Sequence, residues 1–170
     1  MAHQEQHPAG AFAHRLRARF AETDAMGVVH HASYPAWLEA ARVDLLRAAG
    51  HPYGDVRATG IDFAVVELTV RYERPVRFDD DVTVLVWLRS ASRAAFDLAY
   101  EVRVGGERCA TAATRHAAVG ADGRPRRLPR WIVDVGLGEA PPDGPAPLPA
   151  AAPAPSAATG VPGPTAVAPA

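Results

Sequence analysis

Arg19-Phe20-Ala21-Glu22-Thr23-Asp24-Ala25-Met26-Gly27-Val28-Val29-His30-His31-Ala32-Ser33-Tyr34 runs from the end of a strand pattern, through an acid and a glycine turn, to a helix start. That order sets a carboxylate beside the first backbone N–H groups of a helix, which have no intrahelical acceptor. Such donors favour negative charge. A carbonyl held between them and Asp24 is open to attack on one side and to polarisation on the other.

Upstream, His14 to Phe20 alternates, with Leu16, Ala18 and Phe20 on one side and Arg15, Arg17 and Arg19 on the other, the signature of a half-buried strand. Downstream, Ser33 predicts an N-cap and Pro35 suits the first helical turn. Trp37, Leu38, Ala41, Leu45 and Ala48 recur at helical spacing, and Gly50 and Pro52 end the element. Ala40, Ala41, Ala48 and Ala49 are small enough for this helix to lie close against a sheet.

Four more strand patterns follow. Val66, Leu68, Val70 and Tyr72 alternate with Glu67, Thr69, Arg71 and Glu73; Val82, Val84, Val86 and Leu88 alternate with Thr83, Leu85, Trp87 and Arg89. Phe96, Leu98, Tyr100, Val102 and Val104 form the next apolar row, and Gly105-Gly106 predicts a hairpin turn into a small-residue strand over Arg108–Val119. A strand, one long helix and an antiparallel run of strands define an α+β architecture: a curved sheet of about five strands wrapped around one central helix.

Composition sets the boundaries. Ten of the 16 prolines lie after Gly138, and nothing after Asp143 is charged. A segment of that kind buries too little apolar surface to offset its ordering entropy. The expected organisation is a flexible N-terminus over 1–12, one domain over 13–136 and an Ala/Pro-rich disordered tail over 137–170. The net charge of −1 gives no electrostatic reason to expect nucleic acid as a partner. All 18 basic residues are Arg. The single cysteine, Cys109, excludes an intramolecular disulfide and a cysteine-based zinc site. No run of 18 apolar residues and no signal-peptide pattern is visible, so a cytoplasmic protein without membrane insertion is expected.

Asp24-Ala-Met-Gly27-Val-Val-His-His31-Ala-Ser-Tyr34, followed by Glu39-Ala-Ala-Arg42, resembles the signature of hotdog-fold thioesterases. The branch it resembles contains 4-hydroxybenzoyl-CoA thioesterase and the short-chain acyl-CoA thioesterases associated with the Tol–Pal system. Val70 to Asp81 is similar to the family's second strand and its exit turn, and Gly123 to Pro129 to its C-terminal end. The resemblance spans Arg15 to Val135. It implies the hotdog fold, subunits paired edge to edge as a homodimer or homotetramer, an active site at the dimer interface, and an acyl-CoA substrate with no cofactor. It also implies that Asp24 is the catalytic acid and that the backbone N–H matching His31 holds the thioester oxygen. His30 stands where many relatives carry Tyr, a position facing the acyl pocket.

Thioester hydrolysis needs a base or nucleophile and an oxyanion partner. Asp24 can activate water or attack directly to give a mixed anhydride, and both routes are open. His31 serves through its backbone or through its imidazole. His30-His31 lacks a third ligand at metal-binding spacing. Gly27 permits a backbone angle that other residues avoid. Glu39 and Arg42, one turn apart, can pair with each other, or Glu39 lies near the site; Tyr34 and Glu39 are candidate substrate-binding residues. Phe63 and Val65 are candidates, with His30, for the acyl pocket. Coenzyme A carries a pyrophosphate and a 3′-phosphate, which call for arginines; the resemblance matches Arg93 to a basic position of the benzoyl-type relatives and places Arg126 and Arg127 in a segment that the family brings toward the nucleotide. No Gly-x-Ser-x-Gly elbow, phosphate loop or dinucleotide glycine fingerprint occurs. An acyl-carrier-protein thioesterase and a non-catalytic acyl-CoA-binding module are the competing expectations.

Overall fold

The computed structural model describes residues 10–135; the expected tail and the first nine residues lie outside them. In chain order the elements are β1 (Phe12–Arg17), α1 (Tyr34–Ala48), α2 (Tyr53–Ala58), β2 (Asp62–Tyr72), β3 (Asp81–Ala91), β4 (Ala95–Val104) and β5 (Glu107–Val119), with short 3-10 turns at Phe20–Glu22, His31–Ser33 and Arg130–Val135. The strands form one antiparallel sheet in the order β1-β3-β4-β5-β2. Gly105 and Gly106, with φ of 56° and 83°, make the β4–β5 hairpin, a turn that needs positive φ at both central residues. Irregularities at Val65/Glu67, Leu88/Ser90 and Val102/Arg103 interrupt the register. Bulges of this kind bend strands and increase their twist, which suits a sheet that must follow a helix.

The inner face buries Val82, Val84, Val86 and Leu88 of β3 with Phe96, Leu98, Tyr100 and Val102 of β4 against Trp37, Leu38, Ala41, Leu45 and Leu46 of α1. The expected helix face is shifted at its end: Ala48 is exposed and Leu46 is buried instead. Ser33 does not cap the helix through its side chain; its hydroxyl donates to the Glu22 carbonyl oxygen at 3.3 Å. The first strand begins at Phe12, inside the stretch expected to be flexible, and ends at Arg17. Phe20 leaves the sheet, sits 74% exposed in a 3-10 turn and meets Phe78 edge-on. The outer sheet face is partly apolar as well, with Leu85, Trp87 and Ala99 fully buried and Ala11 packed against them.

Between α1 and the sheet lies a buried polar group. Tyr100 Oη and Thr114 Oγ1 are 3.0 Å apart, and Thr114 Oγ1 lies 2.8 Å from His116 Nε2. The His116 ring stacks on Phe96. Arg42 is buried with its guanidinium over the Tyr53 ring, so it does not pair with Glu39, which stays exposed. Burial, then the Arg42 charge, pushes the His116 imidazole down to about 3, with Asp97 opposing. The ring is therefore neutral in the fold but charges in the unfolded chain below about pH 6.5. The unfolded state binds the extra proton, so stability is expected to rise with pH between about 3 and 6.5, by up to about 1.4 kcal/mol per unit. Urea midpoints from pH 4.5 to 6.5 check this: His116→Phe should flatten the slope, and an unchanged slope would exclude His116 as its source.

Candidate active site

The connection from β1 to α1 is folded on itself. Asp24 N donates to Val28 O at 2.9 Å, Gly27 N donates to Asp24 O at 2.9 Å, and Thr23 bridges Val29. Gly27 has φ of +72°, the left-handed region, which closes the turn. Asp24 Oδ1 accepts the Met26 N–H at 2.8 Å, an Asx-type contact that fixes the side chain over its own turn. The other carboxylate oxygen of Asp24 carries no protein partner among the described residues.

The start of the helix is held from several directions. His30 N donates to Glu22 O at 2.7 Å, Ala32 N to His30 Nδ1 at 3.2 Å, and Ser33 N to His30 O at 2.9 Å. Tyr72 Oη, from the end of β2, donates to His31 O at 3.3 Å. Burial raises the Tyr72 phenol, which keeps it protonated as that donor. These bonds leave the His31 N–H without an acceptor among the described residues. Val29 is anchored separately, its N–H donating to Val76 O at 2.7 Å.

Asp24, Val28, Val29, His31, Tyr72, Glu73, Arg74 and Pro75 line one open groove of about 330 Å³. Of its two carboxylates, Glu73 is engaged by Arg108 at 2.9 Å, whereas Asp24 has no cationic partner among the described residues. Arg74 on the rim pairs with Glu107. The groove thus offers a carboxylate with a free oxygen and a backbone donor from the same short loop. That pair can act on an electrophilic carbonyl from two sides.

The expected site residues fall into two groups. Asp24 and His31 line the groove, and Gly27 and His30 belong to the same loop, with His30 exposed and its ring 4.0 Å from that of His31. Tyr34 sits behind this group, buried between Trp37 and Tyr72, so it supports the groove without lining it. Its phenol is pushed up to about 12 by burial, then by Cys109 and Tyr72. The second group lies at the opposite end of the sheet. Phe63 is buried against Tyr53, Phe96 and Trp131, and Val65 is 54% exposed on the β2 edge. Arg93 O accepts the Leu128 N–H at 2.8 Å, which brings the exposed Arg93 and Arg127 near each other. Arg126 pairs with Asp122 at 3.1 Å. Phe63 and Tyr72 are nine residue steps apart along β2, roughly 30 Å. Within one subunit the second group cannot reach Asp24.

Sequence reasoning did not single out Tyr72 and Glu73, which line the groove, or Glu22 and Trp37, which are hydrogen-bonded to each other behind the loop. Glu22 is an acid two residues before Asp24, yet no periodicity marks it as buried. Tyr72 reads as an ordinary strand residue until β2 is known to end beside the helix.

One long helix laid on a five-stranded antiparallel sheet is the hotdog fold. The chain belongs to the Thioesterase-like superfamily, whose family model matches residues 18–157. It is similar to the hypothetical protein TT1821 from Thermus thermophilus, at 42% identity and a TM-score of 0.69, covering 74% of this chain and 94% of that one. It is also similar to the DHNA-CoA thioesterase of Staphylococcus aureus, at 33% identity and a TM-score of 0.69, over 73% of this chain and 85% of that one. A shorter match, 42% identical over 65 residues, covers 38% of this chain and 48% of the acyl-CoA thioester hydrolase YbgC of Escherichia coli O157:H7. Among the described residues no helix is long and apolar enough to cross a membrane.

Proposed function

We propose that this protein hydrolyses an acyl-CoA thioester to a free carboxylic acid and CoA. The observation that carries the reading is that Asp24 and His31 line one groove and that, among the described residues, one Asp24 carboxylate oxygen has no protein partner and the His31 N–H has no acceptor. In the reaction the thioester oxygen accepts the His31 N–H, and the charge that grows there is stabilised by a donor already in place. Asp24 takes a proton from water as the new C–O bond forms, or attacks the carbonyl itself and is later released by water. The C–S bond breaks, and the CoA sulfur leaves and takes up a proton. The names of relatives that act on CoA thioesters support this reading over a non-catalytic role. The branch with 4-hydroxybenzoyl-CoA thioesterase is part of the same proposal. A free-thiol release assay over aliphatic and aromatic acyl-CoA substrates tests it; no turnover on any member would sink it.

The working unit of the proposal is a homodimer paired through β2. This strand is an edge of the sheet, 11 residues long, and it exposes Val65, Val66, Leu68 and Tyr72 at 54%, 56%, 39% and 49%. An apolar edge with unpaired backbone groups is a template for another strand. Antiparallel pairing of two β2 edges would lay the Phe63 end of one copy beside Tyr72 of the other. The partner copy would then bring its Val65, Arg93, Arg126 and Arg127 toward the Asp24 groove, where the arginines suit the phosphates of CoA. Leu68→Arg, near the strand centre, sets like charges close together across such a seam. Sedimentation should report a shift toward monomer together with loss of turnover. A variant that keeps both its wild-type mass and its activity would exclude pairing through this edge.

A further inference from the structure

Glu22 carries bonds that the reaction above does not use. It is 8% exposed in the 3-10 turn before Asp24. Its Oε2 accepts the Arg19 N–H at 2.8 Å, and its Oε1 accepts Arg19 Nη2 at 2.7 Å and Trp37 Nε1 at 3.0 Å. Trp37 is a buried residue near the start of α1. The backbone oxygen of the same Glu22 accepts the His30 N–H at 2.7 Å and the Ser33 hydroxyl at 3.3 Å. One residue therefore ties the loop to α1 by its side chain through Trp37, and to the turn that leads into α1 by its carbonyl through His30 and Ser33. Asp24 lies two residues after it, and the free His31 N–H lies one residue after its backbone partner.

We infer that Glu22 is a positioning residue that fixes the separation and angle between Asp24 and the His31 N–H. The inference rests on the proposed roles of those two groups. A carboxylate is suited to this hold, because it is acceptor-only and can take several donors, two of them here from Arg19 and one from Trp37. Gln cannot replace it: its amide nitrogen would face a donor from Arg19, and the 3-10 turn would have to shift. A loop free to move by a fraction of an ångström still folds, but it no longer presents base and oxyanion donor to one carbonyl, and loss of such geometry appears in kcat rather than in binding.

The test is a mutant cycle in the full-length chain, read as kcat and KM on the best acyl-CoA substrate, with melting temperature recorded for each variant. Glu22→Gln should lower kcat about tenfold or more with KM within about twofold, an order of magnitude typical of misplacement at a site. Trp37→Phe, which removes only the indole donor, should give a smaller fall of the same kind, and it serves where Glu22→Gln folds poorly. The Glu22→Gln effect should vanish in an Asp24→Asn background, because a residue acting through Asp24 has nothing left to position. If Asp24→Asn is inactive while folded Glu22→Gln and Trp37→Phe keep kcat within twofold, Glu22 is only a structural anchor and the inference falls alone. An active Asp24→Asn overturns the Asp24 reading and this inference together, and that variant identifies which has failed.

Discussion

Asp24→Asn is expected to lower kcat by ~10²–10⁴, the usual worth of a positioned general base, while the protein stays folded. The substitution is close to isosteric. The Asn side-chain oxygen can still accept the Met26 N–H that Asp24 Oδ1 accepts at 2.8 Å, so the turn keeps its local lock. The loss is confined to the second oxygen of Asp24, which has no protein partner among the described residues. An amide there can neither take a proton from water nor form an anhydride. Because the change removes an interaction made as the transition state forms, kcat should fall with KM little altered. Glu73, the other groove carboxylate, is held by Arg108 and is poorly placed to substitute. Thiol release by purified variants, with circular dichroism as the folding control, is the measurement. A folded Asp24→Asn that keeps more than about a tenth of the wild-type kcat would remove Asp24 from the mechanism.

The sequence was most legible where one physical rule acted alone. The long helix was readable because Trp37, Leu38, Ala41 and Leu45 all face one way, and each is buried. The β4–β5 hairpin was readable because consecutive glycines have few other uses between two alternating runs. Reading failed where two rules competed. Phe20 continues the alternation of the first strand, yet the chain turns away after Arg17, and the aromatic ends up exposed beside Phe78. Ser33 is a good capping residue, but its hydroxyl is taken by Glu22, and the ring of His30 serves the Ala32 N–H instead. Leu85 and Trp87 sit on the face that alternation assigns to solvent, and both are fully buried. Their apolar character was visible in the sequence and argued against a solvated outer face.

The site was legible as a loop and not as a groove. Asp24, Gly27 and His31 lie within eight residues, so local spacing brings them together without help from the fold. Tyr72 and Glu73 reach the same groove from 41 or more residues away, and only the β5–β2 register places the end of β2 there. Arg42 shows the opposite error. Its spacing from Glu39 suggested a pair, whereas the helix turns it inward over Tyr53 near His116. Phe63, Val65 and the arginines are remote from Asp24 within one chain, because the strand that links them runs the length of the sheet. No single-chain pattern can show what an antiparallel partner would bring back.

Gly27→Val and His31→Ala should part company, although both lie on the same loop. At Gly27 a Cβ would meet nothing within 4 Å, so a larger side chain has room. The obstacle is the backbone: φ of +72° is a genuine outlier for a β-branched residue. The turn would relieve that strain by reopening, and the bond from Gly27 N to Asp24 O would move with it. Asp24 and the His31 N–H would then lose their common aim. Removing one oxyanion donor costs ~2.7–4 kcal/mol, so a displaced N–H should lower kcat by ~10² even when the fold survives. Gly27→Asn, a residue that tolerates left-handed backbone, should retain more activity than Gly27→Val. His31→Ala keeps the N–H and the helix start, and Tyr72 still finds the same carbonyl oxygen, so kcat should stay within a few-fold of wild type. If folded Gly27→Val is fully active, the turn does not set the geometry of the site. If His31→Ala is as inactive as Asp24→Asn, the imidazole itself takes part in the proton transfers, and the backbone donor alone does not account for the rate.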